Sequence, residues 1–322
     1  MTSPLVLVPT APQPLELEAL ERLRLLRLWE EPDPAAALAR NGADVVAVAN
    51  PGGGPLGTEL LDELPNLEIV AHFGVGYETV DVAAAVSRGI VVTNVSGSND
   101  AEVADTAMGL LLMAVRELGS AERYVRQGRW AREGAYPLAE LSLHGGTLGV
   151  LGIGGIGRAI ARRARAFELD VAYHARNRRE DVDLPYHATV VELARAVDFL
   201  VVAVPGGSAT HHLVDAEVLE ALGPRGVLVN IARGSVVDED ALIAALRSGG
   251  IAAAGLDVYQ DEPNVPAELL ELDNAVLLPH IGSATVPTRR EMAEAGVANL
   301  TSWFADGVPL TPVPEARELV DR

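Results

Sequence analysis

In the first part of the chain, short apolar runs at 5–8, 44–49, 67–72 and 90–95 stand out against polar surroundings, and a helix-like stretch precedes each of the last three. Runs this short suit strands, and their alternation with longer segments of helical period predicts βαβ units and a parallel sheet. A long helix is predicted over 101–117, where Val103, Ala104, Met108, Leu111 and Leu112 recur at helical spacing. A second rhythm then begins. The runs 147–152, 170–173, 199–204, 226–231, 252–256 and 275–278 read as six more strands, most of them unbroken Val, Ile, Leu and Ala. Continuous rather than alternating apolar strands suit a sheet covered on both faces. A further helix over 287–304 leads to a tail punctuated by Pro309, Pro312 and Pro314. No repeat, coiled coil or low-complexity linker is visible.

At 322 residues, 49% of them hydrophobic, the chain can fill two cores. The 25 basic and 45 acidic side chains leave a formal charge of −20, which opposes nucleic acid or an anionic membrane as a partner and requires any anionic ligand to find a local basic pocket. The absence of cysteine excludes a disulfide framework, a thiolate nucleophile and cysteine-based metal sites. The opening Met1-Thr2-Ser3-Pro4-Leu5-Val6 lacks the basic start and apolar core of a signal peptide, and no apolar run approaches bilayer length. The expectation is a cytoplasmic protein.

Gly152-Ile153-Gly154-Gly155-Ile156-Gly157 fits G-x-G-x-x-G between the strand ending at Leu151 and a helix predicted from Arg158 through Phe167. In that context the glycines serve a tight turn, close approach to a pyrophosphate and helix-on-strand packing, with helix-end N–H groups as donors. The acid that grips the ribose 2′-hydroxyl of NAD is missing at the end of the next strand. That place reads Tyr173-His174-Ala175-Arg176-Asn177-Arg178-Arg179. Three arginines in an acidic chain point to a 2′-phosphate, so NADP(H) is the preferred cofactor, with NAD(H) as the second.

Three more segments follow strands of this second series, where open α/β sheets place ligands. Asn230-Ile231-Ala232-Arg233-Gly234 offers a guanidinium, the stretch from Leu256-Asp257 to Glu262-Pro263 offers carboxylates, and Leu278-Pro279-His280-Ile281-Gly282 offers an imidazole. Taken singly, each has a bland reading as a surface pair, a solvated loop or a core histidine. Together they are what a 2-oxo acid needs: a cation for its carboxylate, a proton donor for its oxygen, and a group that keeps the donor protonated. His72 beside Gly74-Val75-Gly76 reads equally as a substrate contact or a packing histidine, Trp130 as an interface or a surface residue, and His211-His212 lacks further ligands for a metal.

The chain resembles the D-isomer-specific 2-hydroxyacid dehydrogenases, most closely their glyoxylate/hydroxypyruvate reductase branch. The resemblance runs through Phe73-Gly74-Val75-Gly76-Tyr77, Val103-Ala104-Asp105-Thr106, the glycine turn, the Arg233 segment, Asp257-Val258, Glu262-Pro263-Asn264-Val265-Pro266 and Pro279-His280-Ile281-Gly282-Ser283-Ala284-Thr285. It implies two doubly wound parallel-sheet α/β domains, a Rossmann cofactor domain at 98–285 inserted into a smaller flavodoxin-like substrate domain at 1–97 and 286–322, with the active site in the cleft. It implies that Arg233 binds the substrate carboxylate and carbonyl, that His280 is the acid/base and that Glu262 hydrogen-bonds and tunes it. Backbone amides at Val75 and Gly76 would receive the carboxylate. Thr106, Gly152, Gly154, Gly155, Ile156, Gly157, Arg176, Asn177, Arg178, Pro205, Ile231, Ala232, Asp257 and Gly282 would line the cofactor groove, Asp257 at its nicotinamide end. No metal is implied.

The family also implies a homodimer joined through the cofactor domain, including the helix near 101 and the arm around Trp130. Other activities on the same fold are D-3-phosphoglycerate dehydrogenase or another 2-ketoacid reductase, formate dehydrogenase, and a dinucleotide-sensing corepressor-like module. The 42 residues after His280 leave no room for the regulatory domains of many phosphoglycerate dehydrogenases. Formate dehydrogenases carry Gln where this chain has Glu262, and the missing acid after Tyr173 argues against an NAD sensor.

Overall fold

The computed structural model describes residues 3–320; Met1 and Thr2, where the reading for a leader begins, lie outside them, as do Asp321 and Arg322. The chain divides into two compact units, Met1–Asn99 with Ala284–Arg322, and Asp100–Ser283.

The first unit holds β1 (Leu5–Val8), β2 (Arg24–Arg27), β3 (Val45–Asn50), β4 (Ile69–His72) and β5 (Val91–Thr93), all parallel, in the order β2-β1-β3-β4-β5. That is the doubly wound order of flavodoxin-like sheets. The helix Val286–Asp306 supplies Ala293, Val297 and Leu300 to its core. The tail beyond that helix pairs with β5, through Thr93 opposite Pro312 and the Val313 N–H on the Val92 carbonyl at 3.0 Å. Strand β2 was not announced by the hydrophobic pattern. The helical period continues past the helix Pro14–Leu20, yet the chain turns into an edge strand with Arg24 and Arg27 at its ends and only Leu26 buried. Charged residues suit an exposed sheet edge, and their spacing hides the period of two.

The second unit holds β6 (Thr147–Leu151), β7 (Asp170–His174), β8 (Phe199–Val202), β9 (Val227–Asn230), β10 (Ala253–Leu256) and β11 (Ala275–Leu277), again all parallel, in the order β11-β10-β9-β8-β6-β7. Two hydrophobic clusters pack on this sheet. One includes Val103, Ala107 and Leu111 of the helix Asp100–Arg116, the other Leu193, Leu219 and Leu242. Cover on both faces is why the strands read as unbroken apolar runs. The order of strands reverses between β6 and β8, and open sheets of this class bind ligands at such a switch point, beyond the strand C-termini. Glu117, with φ of 52°, ends the helix Asp100–Arg116, and two shorter helices follow, Leu118–Arg126 and Arg129–Glu133. Among the described residues no helix is long and apolar enough to cross a membrane.

Candidate active site

The glycine turn occupies the switch point of the second unit. Gly152 has φ of +99°, and a Cβ there would lie 2.6 Å from the Ala203 carbonyl oxygen, just past β8. A Cβ on Gly155 would meet the Asp100 carboxylate at 2.0 Å, and one on Gly157 the Gly152 carbonyl oxygen at 2.0 Å. Gly154 differs, because a Cβ there would meet nothing within 4 Å. The helix that follows begins at Gly155, earlier than the expected Arg158, and Gly154 precedes it without a side-chain cap. Uncapped N–H groups at the start of a helix are donors for an anion.

Beyond β7 the Arg179 N–H donates to the Tyr173 hydroxyl at 2.9 Å, folding the basic loop back on the sheet. Asp181 accepts from Arg158 at 2.7 Å and from Arg179 at 3.3 Å, and the Arg179 bond holds its carboxyl below the ordinary value. Arg176, Asn177 and Arg178 are exposed, and among the described residues neither Arg176 nor Arg178 has an acidic partner. A cavity of about 450 Å³ lies against Arg178, Arg179, Glu180, Val182 and Asp183. The residues present thus fit a dinucleotide with an extra phosphate: a glycine cradle, uncapped helix donors and two cations without a carboxylate.

Arg233 is set by its neighbours. The buried Asn230 side chain at the end of β9 accepts from the Ala232 N–H at 3.1 Å and donates to the Arg233 carbonyl at 3.0 Å, closing a tight turn. A Cβ on Gly234 would lie 1.9 Å from the Tyr259 carbonyl carbon, so the Arg233 turn presses directly on the segment after β10. The Arg233 guanidinium donates to the Ala232 carbonyl at 2.7 Å.

That segment and the one after β11 carry the other two groups. His280 Nδ1 lies 2.7 Å from Glu262 Oε2, and Glu262 Oε1 accepts from the Tyr259 N–H at 3.1 Å, so both carboxylate oxygens are held. The Tyr259 hydroxyl donates to the Leu278 carbonyl at 2.9 Å and ties the two segments together. Burial, with the charges of Asp257 and Glu262, pushes the Tyr259 hydroxyl up to about 12, so it stays a donor. Since Nδ1 faces the carboxylate, Nε2 of the half-exposed His280 ring, without a partner among the described residues, is the nitrogen left for proton exchange.

Asp257 is buried and accepts at 2.7 Å from both the Ile281 and the Gly282 N–H, while its carbonyl accepts from the His280 N–H at 2.9 Å. It therefore clamps the loop that carries the imidazole, holding His280 at its φ of 52°. Burial raises the Asp257 carboxyl above its ordinary value, against the opposing pull of the two amides and His280. The Thr106 hydroxyl lies 3.4 Å from the Gly282 carbonyl. The Pro205 carbonyl accepts from Thr210 at 2.7 Å, and Ile231 and Ala232 are buried at the start of the Arg233 turn.

Val75 and Gly76 lie in the first unit, on the loop after β4. Among the described residues neither N–H has an acceptor, whereas the Val75 carbonyl accepts from Asn94 at 2.7 Å and the Gly76 carbonyl from His72 Nε2 at 2.8 Å. His72 is thus buried and committed to the loop.

Residues 108–282 match the family model described as D-isomer specific 2-hydroxyacid dehydrogenase, NAD binding domain. The chain belongs to this family. It is 44% identical over 299 residues to the glyoxylate/hydroxypyruvate reductase A of Arabidopsis thaliana, covering 93% of this chain and 95% of the relative. It is 42% identical to the hydroxyphenylpyruvate reductase of Plectranthus scutellarioides, over the same shares of each chain. A solved structure of the NADPH-dependent glyoxylate/hydroxypyruvate reductase of Sinorhizobium meliloti, in complex with NADP and malonate, is similar with a TM-score of 0.92 and 52% identity, covering 98% of each chain.

Sequence reasoning placed the side chains of this dehydrogenase that carry charge and missed those that hold them. Asn230, Tyr259, Asn94 and the positioning bonds of His72 carried no signal beyond their place at or just after a strand end. Trp130 is 63% exposed, beside Arg129, which stacks over Tyr124 and pairs with Glu133 at 2.8 Å. His211 and His212 stack on one another, and no cluster of three or more potential metal ligands occurs among the described residues.

Proposed function

We propose that the protein reduces small 2-oxo acids to D-2-hydroxy acids with NADPH, glyoxylate and hydroxypyruvate being its substrates, and that NADH serves as a poorer cofactor. The observation that carries this reading is the His280–Glu262 pair at 2.7 Å, at the same C-terminal end of the parallel sheet as the glycine turn. Glu262 orients the ring, and Nε2 delivers the proton to the substrate oxygen. Arg233 offers planar donors to the carboxylate and the adjacent carbonyl oxygen, stabilising the negative charge that grows there as the carbonyl is reduced. The Val75 and Gly76 amides receive the carboxylate. NADPH, when bound, supplies the hydride.

Gly152, Gly154, Gly155, Ile156 and Gly157 take the pyrophosphate, Arg176 and Arg178 the 2′-phosphate with Asn177 beside them, and Thr106, Pro205, Ile231, Ala232, Asp257 and Gly282 line the remainder of the groove. The relative bound to NADP supports the cofactor, and the two arginines without carboxylate partners support its phosphate. We place the enzyme in the cytoplasm as a homodimer, joined through the second unit by the helix Asp100–Arg116 and the arm after it. The exposure of Leu118, Val125, Trp130 and Leu138 along that arm supports the interface.

The test is NADPH oxidation at 340 nm with glyoxylate, hydroxypyruvate, pyruvate, phenylpyruvate and 2-ketogluconate, each repeated with NADH. Rapid turnover of the first two, better with NADPH than with NADH, is expected. Tight cofactor binding without turnover on any of the five would overturn the enzymatic reading.

A further inference from the structure

The loop after β4 has three successive carbonyls, each held by its own donor. The Gly74 carbonyl accepts from the Val95 N–H at 3.2 Å, the Val75 carbonyl from Asn94 Nδ2 at 2.7 Å, and the Gly76 carbonyl from His72 Nε2 at 2.8 Å. All three peptides are trans, the cis bond among the described residues being Glu262-Pro263. In a trans peptide the C=O and N–H point in opposite directions, so each pinned carbonyl turns the N–H of the next residue the other way. Those N–H groups belong to Val75, Gly76 and Tyr77, and none has an acceptor among the described residues. Successive outward N–H groups form a concavity that binds anions.

The side chains doing the pinning are themselves fixed. Asn50 Nδ2 donates to the Gly54 carbonyl at 3.1 Å and lies 3.3 Å from His72 Nδ1. An amide nitrogen can only donate, so Nδ1 accepts, the proton sits on Nε2, and Nε2 is the donor that the Gly76 carbonyl requires. Asn50 and His72 are opposite one another on β3 and β4 and are both buried. Asn94 is buried and is anchored by its own backbone, whose N–H donates to the Thr311 carbonyl at 3.2 Å. Gly74 must lack a side chain, because a Cβ would lie 2.6 Å from His72 Nε2 and block the pin.

We propose that His72 and Asn94 are positioning residues that hold the 74–76 carbonyls inward and present the N–H groups of Val75, Gly76 and Tyr77 as a three-donor site for the substrate carboxylate. His72 acts through the Tyr77 N–H and Asn94 through the Gly76 N–H. The proposal rests on the reading that this loop receives the carboxylate, and adds the third donor and the side chains that aim it.

The decisive experiment is a titration of the ¹⁵N-labelled, NADP⁺-loaded protein with malonate, a dicarboxylate that cannot be reduced, following the amide resonances of 75, 76 and 77. All three should shift together along one saturation curve. Shifts at Val75 and Gly76 with Tyr77 unmoved would overturn the third donor, and no shift at any of them would overturn the site. Neither result depends on turnover, so a protein that fails to reduce any 2-oxo acid would sink the proposed activity without deciding this point.

Kinetics then test the positioning role. His72→Leu should raise KM for glyoxylate and weaken malonate about tenfold, the equivalent of one hydrogen bond, while the Kd for NADPH stays within about twofold. His72→Gln places an amide nitrogen where Nε2 stood and should recover most of that loss. If His72→Leu does not fold, Asn94→Ala takes its place, with the same rise in KM and the Gly76 amide losing its malonate shift. Unchanged KM and malonate affinity in the folded variant, or an equal fall in NADPH affinity, would overturn the assignment.

Discussion

The two glycine-rich loops of this protein are shaped in opposite ways. At 152–157 the obstruction is mainly backbone: Gly157 has no room for a Cβ against the Gly152 carbonyl, nor Gly152 against that of Ala203, and the donors come from the start of the helix Gly155–Ala166. At 74–76 the chain relies on distant side chains, with Asn94 and His72 turning individual peptides. The first arrangement leaves a fixed spacing of glycines in the sequence. The second leaves almost none, because its determinants sit on β4, just past β5 and, through Asn50, on β3.

Substitutions at the two loops should therefore fail differently. The largest effect is expected at Gly157. Gly157→Ala puts a methyl 2.0 Å from the Gly152 carbonyl oxygen, and neither backbone can yield without distorting the helix start. Both the melting temperature and NADPH affinity should fall, the latter by about a hundredfold or more, since the whole pyrophosphate cradle shifts. Gly154→Ala meets nothing within 4 Å, so its melting temperature should be unchanged while NADPH still binds more weakly. Calorimetry and fluorescence titration of the two variants separate a glycine required by packing from one required by the ligand.

Next comes Arg176→Ala, which removes one exposed cation from the loop after β7. A charge-assisted phosphate contact is worth about 1.5 to 3 kcal/mol, so NADPH should bind roughly tenfold to a hundredfold more weakly, with NADH unaffected. Equal losses for both cofactors would place Arg176 away from the 2′-phosphate. Gly74→Ala at the other loop should displace the His72 ring and raise KM for glyoxylate about tenfold, with no change in NADPH affinity. A cofactor defect in Gly74→Ala would erase the distinction between the loops.

The smallest effect concerns Asp257. Its carboxyl is raised chiefly by burial, so the folded state prefers the protonated form more than the unfolded chain does. A group of this kind contributes stability at acid pH that is lost as pH rises from the ordinary carboxylate range through its raised value. The gap between the urea midpoints of the native protein and Asp257→Asn should therefore narrow across that window, the native protein losing ground as pH rises. Asp257→Asn should also be less stable at the acid end, because an amide cannot accept from both Ile281 and Gly282. Parallel pH profiles would contradict the burial argument.

What the sequence made legible follows the same division between local and distant causes. The six strands of the second unit were readable because burial on both faces makes them continuous apolar runs, and the chemistry after them was readable because charged groups stand where parallel sheets end. β2 was not, since an arginine-bearing edge strand following a helix keeps the helical period. The pairing of Glu262 with His280 was implied by the family resemblance and agrees with their places after β10 and β11, but nothing local indicates that Tyr259 holds the free carboxylate oxygen with its N–H and ties the two loops with its hydroxyl. Asn230 stands in the Arg233 motif, and only the fold shows both ends of its amide closing the Arg233 turn.

The central claim is that His280, oriented by Glu262, gives the proton in an NADPH-dependent reduction. It is tested most directly by comparing His280→Ala with the native protein, measuring kcat for glyoxylate reduction and, separately, the Kd for NADPH. The expected result is a fall in kcat of about a hundredfold or more with NADPH affinity within about twofold of native, as for a group that acts in the transition state. Near-native turnover in His280→Ala would contradict the account.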